Sequence, residues 1–83
     1  MEDKTSLFDV SIIKKKLIST TLKEVFDALK ERGYNPINQV VGYLISGDPA
    51  YISSYKGARN KIQQVERDEI IEVLLEKFVE TKK

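Results

Sequence analysis

The chain has 83 residues, 14 basic and 13 acidic side chains, a formal net charge of +1 and 41% apolar residues, which is room for one domain and one core. It contains neither cysteine nor histidine, which excludes a disulfide framework, thiolate or imidazole metal ligands, and catalysis by either side chain. No apolar run approaches the roughly 18 residues of a membrane span and no signal-peptide pattern opens the chain, so a cytoplasmic protein without membrane insertion, cofactor or metal is expected.

Residues 1–10 begin with the polar run Met1-Glu2-Asp3-Lys4-Thr5-Ser6 and are expected to form a flexible segment ahead of a single helical domain over 11–83. Ile18, Leu22, Val25, Phe26 and Leu29 make an amphipathic stripe that predicts a first helix from near Ser11 to a stop at Gly33. Residues 33–47 carry no charge. Within them Asn35 is placed to cap a second helix, Pro36 to occupy its first turn and Gly47 to end it. Ile37, Val40, Val41, Leu44 and Ile45 form its apolar face, and Asn38, Gly42 and Ser46 line a small neutral side next to Tyr43. A helix without charge is expected to be buried all round, enclosed by its neighbours or by a second copy.

Asp48 and Pro49 repeat the cap-then-proline signal and open a short turn through Ile52. A third helix is predicted over 53–65, with Tyr55, Ala58, Ile62 and Val65 inward. Asp68 is placed to cap a fourth, whose stripe of Ile70, Ile71, Leu74, Leu75, Phe78 and Val79 is broad for so small a chain. The expected fold is therefore all-α: a compact, homodimeric bundle of about four helices, with Asn38, Gly42, Tyr43, Leu74 and Phe78 as candidate interface or packing residues. Self-association is also the remaining source of stability for a chain of this length.

No constellation points to catalysis. Ser53 and Lys56 match S-x-x-K without the companion motifs, and Gly42 to Gly47 has phosphate-loop spacing but continues into Asp48-Pro49. The carboxylates Glu66, Asp68, Glu69 and Glu72 lack the pattern of a calcium loop and read as a solvated face. The competing functional reading is a helix-turn-helix-like nucleic-acid binder using Arg59, Asn60, Lys61 and Gln63. Against it, residues 48–67 hold only four basic side chains to two acidic ones, a small footprint for a phosphate backbone. Thr5 lies where a kinase can take an extended segment. Its phosphate would add about −1.5 to −2 charge, and Lys14, Lys15 and Lys16 are the nearest dense cations to receive it.

The run Gly33-Tyr34-Asn35-Pro36-Ile37-Asn38-Gln39, with Val41-Gly42-Tyr43 and Ser46-Gly47-Asp48-Pro49-Ala50-Tyr51-Ile52, closely resembles the IreB family of small regulatory phosphoproteins of low-GC Gram-positive bacteria. Ala58-Arg59-Asn60 and Glu66-Arg67-Asp68-Glu69-Ile70 extend the resemblance over most of residues 17–75. It implies a non-enzymatic helical dimer, phosphorylated on N-terminal threonine by a membrane Ser/Thr kinase with PASTA repeats and reset by its phosphatase. The implied role is negative regulation in cell-envelope stress and cephalosporin resistance, through a further, unnamed protein. Thr5 matches one family phosphothreonine, whereas the position three residues earlier is Glu2, which would supply a constant negative charge instead.

Overall fold

A computed structural model describes residues 9–81. The candidate phosphosite Thr5 lies outside them. Among the described residues the chain forms α1 (Val10–Glu31), α2 (Pro36–Ser46), α3 (Ala58–Ile62) and α4 (Arg67–Thr81), with no strand, so the all-α expectation of four helices holds.

α1 begins one residue before the expected Ser11 because Asp9 supplies the cap. Its Oδ1 accepts from the Ser11 backbone N–H at 3.0 Å and from the Ser11 hydroxyl at 2.8 Å. These bonds, the hydroxyl first, hold the Asp9 carboxyl below its ordinary value. At the other end Gly33 turns left-handed (φ 86°) and the Tyr34 N–H donates back to the Leu29 carbonyl at 3.0 Å, closing the helix. Ile18, Leu22, Val25 and Leu29 are buried along one side of α1. The other helices all pack on this spine.

α2 starts and stops where its punctuation says. Asn35 Oδ1 accepts from the Asn38 N–H at 3.1 Å, Pro36 opens the first turn, and Gly47 (φ 77°) donates its N–H to the Tyr43 carbonyl at 2.7 Å. The expectation that its neighbours bury it all round is not met. Val40 and Tyr43 are buried and Leu44 is half-buried, but Val41 is exposed and Ile37 and Ile45 stand 65% and 79% open. No other described element covers its far side. A 3-10 turn, Pro49–Tyr51, follows, and Asp48 Oδ1 accepts from the Ala50 N–H at 2.9 Å.

The third helix is much shorter than the predicted 53–65. Lys56 (φ 50°) and Gly57 (φ 74°) adopt left-handed backbone, which no right-handed helix continues through, and the Ser53 hydroxyl accepts from the Tyr55 N–H at 3.1 Å. Tyr55–Gly57 forms a 3-10 turn, and α3 retains only Ala58–Ile62, with Ala58 and Ile62 fully buried. α4 begins at Arg67, so Asp68 and Glu69 sit inside its first turn, where negative charge meets the positive helix end. Only Ile70 and Val73 of α4 are buried.

Candidate functional site

The lysine triplet does not form one site. Successive helical residues are about 100° apart, and α4 divides the three. Lys14 Nζ lies 2.7 Å from Glu69 Oε2 and Lys15 Nζ donates to Glu76 Oε2 at 2.9 Å. In each case the hydrogen bond, and then the charge, of the glutamate raises the lysine pKa. Lys16 makes no ion pair among the described residues.

Several grooves lie between α1 and α4, and two of them carry both lysines and glutamates. In one, of about 250 Å³, Lys14 and Lys15 face Glu69 and Glu72, so the charges balance. The other, of about 350 Å³, is lined by Lys15, Lys16, Lys23 and Lys77 against Glu76 and Glu80, a surplus of cations. The hydroxyl residues Ser19 and Thr20 complete its α1 wall. Lys23 and Lys77 were missed in the sequence. The signal that finds the α1 half is Lys16, Ser19, Thr20 and Lys23 at i, i+3, i+4 and i+7, one polar stripe.

Of Arg59, Asn60, Lys61 and Gln63, three are engaged within the chain. Arg59 Nε–H donates to the Ile52 carbonyl at 2.8 Å, Lys61 lies 3.6 Å from Glu24, and Gln63 Nε2 donates to the Arg59 carbonyl at 3.1 Å. Asn60 is exposed, on a helix of five residues that makes little more than one turn. Ser53 and Lys56 do not make a catalytic pair. Lys56 Nζ donates to Glu31 Oε1 at 2.8 Å, and that bond, with the glutamate's charge, raises its pKa. Glu31 also accepts from the Tyr55 hydroxyl at 3.1 Å, and the Arg32 guanidinium stands 5.3 Å above the Tyr55 ring. The Lys56 hydrogen bond first, then that of Tyr55, lowers the Glu31 carboxyl.

Other polar side chains of the uncharged centre and its flanks are committed to backbone. Gln39 Oε1 accepts from the Ser53 N–H at 2.9 Å, and Arg67 Nη1 donates to the Leu44 carbonyl at 3.0 Å at the negative end of α2. Ser46 Oγ donates to the Gly42 carbonyl at 2.7 Å and accepts from the Asp48 N–H at 2.9 Å. Gly42 is small because the Tyr51 ring lies on it: a Cβ there would come within 2.5 Å of the ring.

Of the candidate interface residues, Tyr43 belongs to the core, Gly42 contacts Tyr51 of the same chain, and Asn38, Leu74 and Phe78 are exposed. Most of the large exposed apolar side chains among the described residues fall into three stripes. Val10, Ile13 and Leu17 lie on α1, Ile37, Val41 and Ile45 on α2, and Ile71, Leu75 and Val79 on α4. No helix among the described residues is long and apolar enough to cross a membrane.

Among the described residues, the polar side chains of the uncharged centre serve as caps and clamps beside open apolar stripes in an all-helical chain. The family model of the IreB regulatory phosphoproteins matches residues 3–80, nearly the whole chain. The chain belongs to that family of regulatory phosphoproteins.

Proposed function

We propose that this chain is a cytoplasmic substrate of a PASTA-type Ser/Thr kinase, phosphorylated on Thr5 and reset by the partner phosphatase. In this reading it is a negative regulator in cell-envelope stress and cephalosporin resistance and acts by binding a further protein. The observation that carries the reading is the family match over residues 3–80, a span that includes Thr5.

The working form in this reading is a homodimer. Three apolar stripes on a chain of 83 residues are more than a monomer of this size ordinarily leaves in water. The central α2 stripe and the α4 stripe are the proposed contacts, with Leu74 and Phe78 at the edge of the latter. Intact mass after incubation with a PASTA-type kinase and ATP tests the reading, wild type beside Thr5→Ala. One phosphate on the wild type and none on the variant is expected; a phosphate retained in Thr5→Ala contradicts the assignment of Thr5.

A further inference from the structure

Resting on the modification of Thr5 proposed above, we propose that the phosphate docks in the lysine-rich groove between α1 and α4. The occupant is this chain's own phosphorylated segment of residues 1–8, and Lys15 and Lys16 are its direct partners.

Charge selects this groove over the one beside Lys14. Four lysines face two glutamates here, whereas around Lys14 two lysines face two glutamates. A dianionic phosphate gains from the first and meets Glu69 and Glu72 in the second. Reach selects the near end. The four residues from Thr5 to Asp9 span at most about 14 Å. Lys16 lies about 10 Å along α1 from Asp9, and Lys23 about 21 Å. A segment folding back at the Asp9 cap therefore brings its phosphate to Lys15 and Lys16. Lys23 and Lys77 act from beyond as a positive background.

Docking has a consequence for α4. Lys15 is held by Glu76, in a pair whose side chains are 43% and 44% exposed. Such a pair is weak, and a phosphate carrying about two charges displaces a carboxylate carrying one. Glu76 is released, and one of the two ion pairs joining α1 to α4 is lost. Phosphorylation thus reaches α4 through Lys15.

The test uses the full chain with phosphothreonine installed at position 5 during synthesis, so it does not depend on a kinase choosing Thr5. The second ionisation of the phosphate is followed by phosphorus NMR, beside a phosphorylated peptide of residues 1–9. Cations at the phosphate favour its dianion, so a midpoint lower than the peptide's by about half a pH unit or more is expected. Lys15→Ala and Lys16→Ala should each recover much of that difference and Lys14→Ala almost none, with circular dichroism showing every variant folded. A midpoint equal to the peptide's overturns the proposal. So does a Lys14→Ala effect as large as that of Lys15→Ala, or a shift lost on dilution, which would place the phosphate on a second copy. Failure of the kinase assay above would instead bear on Thr5 as the physiological target.

Discussion

The segment from Asn35 to Arg67 and the contact between α1 and α4 are held by different means. In the first, side chains reach across to backbone: Gln39 to Ser53, Arg59 to Ile52 and Arg67 to Leu44, around the buried Ile52 and Ile62. In the second, two buried side chains of α4 are flanked by the partly exposed pairs Lys14–Glu69 and Lys15–Glu76. A side chain bonded to a buried turn has one geometry, whereas a surface ion pair exchanges partners at little cost. The laced segment is the fixed frame, and the α1–α4 contact is the part that a change of charge can move.

The sharpest way to break that contrast is inside the frame. Ile62→Ala removes a fully buried side chain and should cost about 2–5 kcal/mol in urea unfolding; a loss below 1 kcal/mol would mean that the frame repacks freely. Arg59→Ala leaves the Ile52 carbonyl without its charged donor and should cost about 1.5–3 kcal/mol, with faster amide exchange over 48–54. Gly47→Ala forces a Cβ onto left-handed backbone and to 2.9 Å from the Arg67 guanidinium, for a loss of about 1–2 kcal/mol. On the other side of the contrast, Glu69→Gln with Glu76→Gln should leave the melting temperature within a few degrees while amide exchange along α4 quickens several-fold. Equal quickening in α2 would show that the two regions are one cooperative unit.

The smallest effect is expected from pH. The lowered carboxyls of Asp9 and Glu31 add stability that is full above their unfolded values and is lost as pH falls through the folded ones, below about pH 4. The raised Lys14, Lys15 and Lys56 add stability that is full below about pH 10 and is lost as pH rises through their folded values. With no histidine or cysteine in the chain, the urea midpoint should stay flat between about pH 5.5 and 9.5. A step near neutrality would contradict this account.

Where a structural cause is local, the sequence discloses it. Asn35-Pro36, Gly47 and Asp48-Pro49 mark their boundaries because a cap, a proline and a left-handed glycine act within one turn. The buried stripe of α1 is legible for the same reason, since a single helix brings its residues together. The shortened α3 is not, because the apolar pattern through Tyr55 and Val65 continues across a left-handed break at Lys56 and Gly57. Nor are the roles of Gln39, Arg59 and Arg67, whose partners lie 14, 7 and 23 residues away. The lysine triplet looks like one site in one dimension and is split by the helix that α4 lays across it. Lys77 joins the groove only when α4 is in place. The family resemblance, by contrast, rests on contiguous residues and could be read directly.

A regulatory protein with three open apolar stripes stands or falls on what covers them, and sedimentation equilibrium at micromolar concentration addresses that directly. The account predicts twice the chain mass of 9.5 kDa, falling to the single-chain mass when Ile45→Glu places a charge on the α2 stripe. A wild-type protein that sediments as a single chain would contradict it.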